Sequence, residues 1–258
     1  MPLSLNALIW SMPPRFFHAG DIHEGQTIKL ASTVGHHATR VLRTKTGDSV
    51  ILFNGKGGEF WGRIINDRKG LTTVIIDKFN AVERESLLTI ELVQALCANE
   101  KMDLIIQKSV ELGVTCIRPI TTTRSVVRLT NERAMKRVRH WQRVIISACE
   151  QCGRNFIPTI SPLISFIDWA SQKKNCEPDH LNFMLSVTGS ISPKNLPISQ
   201  PPSRFTLIIG PEGGLTPEES AILQQAGFLS LRLGKRILRT ETAALATIAA
   251  LQMHWGDF

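Results

Sequence analysis

An apolar strand that runs into a glycine-rich loop and then into a capped helix constrains the fold of this chain more than any other feature. Residues 205–219 read FTLIIGPEGGLTPEE. Thr216, Pro217 and Glu219 fit the N-cap, N1 and N3 positions of a capping box. Open α/β sheets bind ligands at the carboxyl ends of their strands, where glycine lets a ligand approach the backbone. The segment therefore predicts an α/β sheet with either a ligand-binding loop or a tight turn that itself requires glycine.

The residues of this loop restrict the ligand that it could hold. Gly210, Gly213 and Gly214 do not match the G-x-G-x-x-G pattern of dinucleotide sites. Glu212 carries a negative charge into the loop, which disfavours a phosphate and suits a ligand with a positive charge.

A second glycine loop repeats the arrangement of strand, loop and helix. Residues 233–243 read LGKRILRTETA and bring Lys235, Arg236, Arg239 and Glu241 together before an alanine-rich helix. The apolar residues of that helix at positions 245, 248, 251 and 255 predict a buried or partner-facing surface. We interpret the two loops as walls of one pocket, extending from neighbouring elements of one sheet. A cationic loop beside a packed helix is the alternative interpretation.

The spacing of apolar and turn residues predicts two parts in the chain. Short strands at residues 27–30, 49–53, 60–65 and 71–79, with a helix at 34–43, are typical of a small barrel or sandwich. Residues 80–86 form the predicted linker. Strands and helices then alternate, as in a domain with a mainly parallel sheet. Its predicted strands are 88–96, 115–120, 181–187, 205–209 and 230–233, and its predicted helices are 100–112, 131–152, 217–226 and 240–254.

The formal net charge of +8 is concentrated in one stretch of the chain. Between residues 118 and 143, eight Lys and Arg residues accompany a single acid, Glu132. Arginine forks and Ser and Thr hydroxyls, as in TTTRSVVR at residues 121–128, are typical of surfaces that bind phosphate. The pattern predicts a polyanionic partner, although a solvated helix surface would show the same charges.

Cysteine usage and hydropathy indicate the compartment. The five cysteines are odd in number and scattered, which favours a reducing environment and predicts a cytoplasmic protein. Cys149 and Cys152 form a C-x-x-C pair, but no second pair completes a zinc site, so no metal is expected. No apolar run approaches the roughly 20 residues that cross a bilayer, so no membrane partner is expected.

Four motifs then give the chain a family resemblance. They are QKSVELGV at residues 107–114, ACEQCGR at 148–154, LIIGPEGGLTPEE at 207–219 and LGKRILRTETAALA at 233–246. Together with RFF at 15–17 and ATRVLR at 38–43, they resemble the RsmE family, the 16S ribosomal RNA uridine N3-methyltransferases of the SPOUT superfamily. The resemblance covers nearly the whole chain after Arg15.

The resemblance implies an α/β fold in two domains. Residues 15–82 would form a small PUA-like β-barrel that binds RNA, after an N-terminal extension at residues 1–14. Residues 87–258 would form a SPOUT methyltransferase domain with a mainly parallel sheet and a C-terminal trefoil knot. The enzyme would be a homodimer, bind S-adenosylmethionine in the knot loops and act on 16S rRNA within the small ribosomal subunit.

The resemblance also implies two sets of binding residues. The predicted cofactor-binding residues are Leu185, Ile209, Gly210, Pro211, Glu212, Gly213, Gly214, Leu233, Gly234, Ile237, Leu238, Thr240 and Ala243. The predicted RNA contacts are Arg15, Arg40, Arg43, Arg124, Arg128, Gln151 and Arg154.

The chemistry of this substrate suggests the catalytic residues. Uridine N3 carries a proton and must lose it as it attacks the methyl group. We hypothesise that Arg239 and Arg236 hold the uracil or its phosphate, and that Glu241 or Glu212 orients an arginine or takes the proton. Three alternatives remain: a SPOUT enzyme that acts on tRNA or 23S rRNA, a non-catalytic RNA-binding assembly factor, and a nucleotide-binding enzyme that uses the glycine loop.

Overall fold

The contacts of the chain divide it into two compact units. The computed structural model describes residues 13–30, 44–68, 71–173, 179–193 and 202–258. The first unit comprises residues 1–85 and 149–157, and the second comprises 86–148 and 158–258. The sequence-based division placed residues 149–157 in the second domain, whereas they cluster with the first unit. The predicted helix at 34–43, with Arg40 and Arg43, lies outside the described residues.

The first unit contains a five-stranded sheet. Its strands are β1 (Arg15–Phe17), β2 (Thr27–Lys29), β3 (Ser49–Phe53), β4 (Glu59–Arg68) and β5 (Leu71–Asn80). The order is β1-β3-β4-β5-β2, with β1 parallel to β3 and the other pairs antiparallel. Strands β2 to β5 lie where the pattern predicted them. Alternate residues such as Val74 and Ile76 are buried with Phe16, Leu52 and Ile64 in one core, as expected for a sheet with one covered face.

The second unit is a parallel α/β structure. Its strands are β6 (Thr89–Ala95), β7 (Cys116–Thr121), β8 (Thr159–Ile160), β9 (Ile164–Ser165), β10 (His180–Leu185), β11 (Arg204–Ile209) and β12 (Leu229–Leu231). Its helices are α1 (Asn99–Glu111), α2 (Asn131–Cys152), α3 (Phe166–Ser171), α4 (Pro217–Gln225) and α5 (Thr240–Trp255), although the last turn of α2 belongs to the first unit. The sheet order is β12-β10-β11-β6-β7-β8, β9 pairs with β7, and every pair is parallel.

Local sequence explains why these elements form. In α1 the buried residues are Met102, Ile105, Ile106, Ser109 and Val110, which recur with the helical period. The predicted capping box of α4 is present, since Thr216 accepts from the Glu219 backbone N–H and Glu219 accepts from the Thr216 N–H. The predicted bounds of α2 match the observed ones.

A partly buried carboxylate, Glu91 on β6, was not anticipated from the sequence. Arg118 Nε and Lys173 Nζ donate to its oxygens at 2.7 and 2.8 Å, and the Thr206 hydroxyl donates at 3.2 Å. Burial acts to raise the pKa of Glu91, but the hydrogen bonds and charges of Lys173 and Arg118 hold it below its ordinary value. The group is satisfied where it lies, as a buried charge must be.

Two arginines that the sequence assigned to RNA contacts are instead buried in the first unit. Arg15 is 9% exposed; it pairs with Glu59 and donates to Asn155 Oδ1 at 2.8 Å. Arg154 is 4% exposed, and its guanidinium pairs with Glu85. Because these guanidinium groups are already hydrogen-bonded away from solvent, we correct both assignments to structural roles.

Replacing Arg15 with methionine should destabilise the protein by about 3 kcal/mol, because it removes one partner of a buried ion pair. This loss of stability is small for a buried ion pair because Glu59 keeps a second cationic partner: Arg84 donates to it at 3.0 Å. Urea unfolding at neutral pH measures the change. Arg63→Ala is the matched control, since its ion pair with Asp77 lies at the surface and should contribute little.

The pH dependence provides a second test of the same ion pair. Burial acts to raise the pKa of Glu59, but the hydrogen bonds from Arg84 and Arg15 place it below its ordinary value. A carboxylate with a lowered pKa contributes stability that is complete above its unfolded pKa and is lost as the pH falls through its folded pKa. The difference in free energy of unfolding between Arg15→Met and wild type should therefore become smaller at acidic pH. A difference that does not depend on pH would contradict this account.

Candidate active site

The carboxyl ends of the parallel strands form the edge at which the candidate site lies. The chain leaves β11 at Gly210, β10 at Ser186 and β12 at Arg232. The sequence had suggested that the two glycine loops extend from neighbouring elements of the sheet. Strand β10 lies between β11 and β12, so their strands are not neighbours. The loop after β10 lies between them in the sheet order; its Ser186 N–H donates to Leu231 O at 2.9 Å. Three loops, rather than two, therefore follow the neighbouring strands β12, β10 and β11 at this edge.

The first glycine loop requires glycine for its own fold. A Cβ on Gly210 would lie 2.9 Å from the backbone N of Leu215, and Gly214 has a φ of +69°. The N–H of Gly214 donates to Pro211 O at 2.8 Å and closes the turn. The tight-turn interpretation of this loop is thus correct, and it leaves open what the loop binds.

A polar contact joins the loop to the helix that follows the second glycine loop. Thr240, the first residue of α5, donates through Oγ1 to Gly210 O at 2.8 Å and accepts from Gln94 Nε2 at 3.1 Å. Gln94 lies at the carboxyl end of β6 and is fully buried. Its Oε1 makes no hydrogen bond to a described residue. Sequence reasoning missed Gln94, although a polar residue within the apolar run at the carboxyl end of a strand was a usable signal.

The loop after β7 holds the other side of the glycine loop. Arg124 donates through Nη1 to Gly213 O at 2.8 Å and to Leu215 O at 3.4 Å. The Thr123 N–H and hydroxyl donate to Glu219 Oε1 at 2.8 and 3.0 Å. The sequence assigned Arg124 to RNA; the residue is exposed, and Nη1 of its guanidinium also stabilises the glycine loop.

The two candidate carboxylates have different surroundings. Glu212 accepts from Lys101 Nζ at 2.8 Å. Burial acts to raise the pKa of Glu212, but this hydrogen bond, two backbone N–H groups and the charge of Lys101 together hold it below its ordinary value. Glu212 is therefore an exposed carboxylate that is paired with Lys101, and its role toward a cationic ligand stays a prediction. Glu241 is half-buried in the first turn of α5, and its Oε2 is enclosed without a hydrogen bond to a described residue. Glu241 therefore differs from Glu212, whose carboxylate is paired with Lys101.

The cations of the second glycine loop are exposed. Arg239 is the N-cap residue of α5 and makes no capping hydrogen bond through its side chain. Among the described residues, neither Arg236 nor Arg239 has an ion-pair partner. Their guanidinium groups are therefore available to an anionic ligand.

The remaining predicted cofactor residues are apolar side chains and one glycine. Ile237 is 84% exposed, which leaves a large apolar surface uncovered on the second glycine loop. Leu185, Leu233 and Leu238 are half-buried at the ends of β10 and β12 and in the second glycine loop, and Gly234 is exposed. Ile209, Pro211 and Ala243 are buried and support the loops from below.

The remaining predictions concern charge and metals. Arg128 and Gln151 are exposed, as an RNA contact requires. Burial raises the pKa of the Cys149 thiol to about 12, so Cys149 of the C-x-x-C pair is not a reactive thiolate at neutral pH. In the described part of the chain, no group of three or more His, Cys, Asp and Glu residues could hold a metal ion, and no helix there is long and apolar enough to cross a bilayer.

Comparisons with known proteins agree with this architecture. The RNA methyltransferase domain family matches residues 84–252, and the PUA domain of RNA methyltransferases matches residues 31–76. A ribosomal RNA small subunit methyltransferase E from Buchnera aphidicola is 34% identical and aligns over 95% of each chain. The protein of the same name from Bacillus subtilis is 30% identical over 89% of this chain and 91% of the relative.

Solved structures give the same result. A methyltransferase from Legionella pneumophila, solved with bound S-adenosylmethionine, is 38% identical with a TM-score of 0.89. A ribosomal RNA small subunit methyltransferase E from Neisseria gonorrhoeae, also solved with S-adenosylmethionine, is 37% identical with a TM-score of 0.87. Each aligns over 96% of this chain and 100% of its own. The predicted fold class is confirmed, and the chain belongs to the ribosomal RNA small subunit methyltransferase E family.

Proposed function

We propose that this protein transfers the methyl group of S-adenosylmethionine to N3 of one uridine in 16S rRNA of the small ribosomal subunit. The observation that carries the proposal is the contact of Thr240 with Gly210 O. It fixes the first turn of α5, with Arg239 and Glu241, beside the glycine loop. The relatives' names and the cofactor bound in two similar structures support the same function.

The three loops at the carboxyl edge would hold the cofactor. The backbone of residues 209–214 forms one wall, and Leu185, Leu233 and Leu238 with Ile237 provide apolar contacts for the adenine. S-adenosylmethionine, when bound, supplies a methyl group already activated on a sulfonium, so the protein must contribute alignment and a proton acceptor.

The charged residues of α5 would act on the uridine. Arg239 and Arg236 bind the uracil oxygens or the adjacent phosphate, and they stabilise negative charge on the base as N3 loses its proton. Glu241 accepts that proton. As the N3–methyl bond forms, the bond from sulfur to the methyl group breaks and its electron pair stays on sulfur. The base must be unpaired for N3 to be reached, because N3 lies on the Watson–Crick edge.

The remaining parts of the proposal concern RNA, assembly and topology. Arg128 and Gln151, with Arg40 and Arg43 of the PUA region, would contact RNA. The chain path supports a trefoil knot. The segment that connects β11 to β12 crosses β10, which lies between these two strands in the sheet, and α5 then packs against β11 and α1. Exposed Met253 and Phe258 offer apolar surface for a homodimer. An rRNA substrate places the protein in the cytoplasm.

Two measurements test the proposed function. Titration calorimetry should show binding of S-adenosylmethionine and none of ATP; a protein that binds neither would be an assembly factor without activity. Mass mapping of 16S rRNA from cells that lack the protein should then show one uridine without its methyl group. Digestion to nucleosides distinguishes N3-methyluridine from methylation at carbon or at the ribose. A missing methyl group on tRNA or 23S rRNA would overturn the choice of substrate.

A further inference from the structure

We infer that an apolar cleft on α2 binds one unpaired base of a single-stranded RNA segment whose phosphates lie on neighbouring arginines. This inference rests on the proposed function, because it assumes an RNA substrate. The cleft has a volume of about 350 Å³, and the second unit contains all of it. It is separate from the three loops of the candidate active site.

Apolar residues form most of the lining of the cleft, and two polar residues complete it. Ala134, Met135 and Val138 from α2 face Pro162 and Leu163 of the segment between β8 and β9. Met135 is 56% exposed, so apolar surface is open to solvent here. Asn131 and Arg139 complete the lining. An amide and a guanidinium can hydrogen-bond the edge of a base, and a guanidinium can also stack on its face.

A cationic strip adjoins the cleft. Arg139 also lines a second, shallower depression together with Lys136, Gln142 and Arg143. Residues 136, 139 and 143 are three or four apart, so they lie in one row along the helix. Glu132, the single acid between residues 118 and 143, already pairs with Lys136 at 2.7 Å. The strip therefore has a net positive charge, and a chain of phosphates is its natural counterpart.

The charge distinguishes RNA from other occupants. A second copy of this chain, packed about a two-fold axis at the cleft, would place the same cationic strip against itself. A purely apolar partner would leave Arg139 and Arg143 without counter-charges. Single-stranded RNA supplies both an apolar base for the cleft and phosphates for the strip.

Two substitutions separate the base contact from the phosphate contacts. Ala134→Leu fills the cleft without changing charge, and Arg139→Ala removes one cation at an exposed site that folding does not require. Arg133→Ala is the matched control, because Arg133 is an exposed cation of the same helix that lines neither depression. Circular dichroism checks that each variant is folded.

Binding is measured by fluorescence anisotropy with a labelled oligouridine and with an abasic ribose-phosphate chain of equal length. Ala134→Leu should weaken binding of oligouridine about tenfold, the effect of one lost base contact, and leave the abasic chain unaffected. Arg139→Ala should weaken binding of both and make the slope of log K against log salt less steep by about 0.7. Arg133→Ala should have a much smaller effect than Arg139→Ala.

Three results would overturn the inference. Wild type could bind the abasic chain as tightly as oligouridine, Ala134→Leu could bind as wild type does, or Arg133→Ala could match Arg139→Ala. If Ala134→Leu instead changes the mass measured by sedimentation, the cleft is a subunit interface. Methylation by the wild-type protein tests the proposed function separately from this inference. If wild type methylates RNA, the variants should raise KM for RNA and leave kcat and cofactor binding unchanged.

Discussion

Replacing Arg239 with alanine should abolish methyl transfer while the affinity for S-adenosylmethionine stays within about twofold of wild type. We expect kcat to fall by 100-fold to 1,000-fold, roughly the cost of removing one group that stabilises developing charge. Arg239 has no ion-pair partner in the described part of the chain, and its side chain does not cap α5. Its removal should therefore affect the reaction and not the fold.

The experiment compares single-turnover methylation of small-subunit rRNA with calorimetry of the cofactor. Lys235→Ala is the control, because it removes an exposed cation from the same loop. Arg239→Lys keeps the charge but loses the two-pronged geometry, so partial activity is expected. Normal methylation by Arg239→Ala would show that another residue balances the charge on the uracil. A loss of cofactor affinity instead would make Arg239 a cofactor residue.

Local sequence signals predicted the elements around the site well. The capping box of α4, the bounds of α2 and the apolar strand β11 each depend on residues that are close in the chain. Such signals depend on backbone geometry and on the periodic spacing of buried residues, and both involve residues within a few helical turns of one another. The glycine loop was located for the same reason. The sequence left two interpretations of this loop, a tight turn and a ligand-binding loop, because glycine permits both a tight turn and the close approach of a ligand.

Contacts between distant residues account for what the sequence did not predict. Arg15 and Glu59 are 44 positions apart, and Arg154 and Glu85 are 69 apart. A cationic motif is the same in sequence whether its arginines bind phosphate or a buried carboxylate. Arg124 and Glu212 also have distant partners, the Gly213 carbonyl and Lys101, which lie 89 and 111 positions away. The position of β10 between β11 and β12 is a property of topology that no local pattern encodes.

Replacing Gly210 with alanine should weaken binding of S-adenosylmethionine and slow methyl transfer by about 100-fold, the cost in rate of misplacing reacting groups by about 1 Å. The new Cβ would lie 2.9 Å from the N of Leu215 and 3.0 Å from the carbonyl carbon of Gly214. Both are backbone atoms, so the loop must move rather than a side chain. Because Thr240 donates to Gly210 O, the start of α5 should move with it.

Gly213→Ala provides the comparison within the same loop. A Cβ there would lie 3.4 Å from the side chain of Arg124, a contact that a flexible side chain can relieve. It should therefore weaken cofactor binding much less than Gly210→Ala. Calorimetry measures both affinities, and circular dichroism confirms that both variants are folded. Equal affinities for Gly210→Ala and wild type would mean that the cofactor does not depend on the shape of this loop, and the three-loop site would then be wrong.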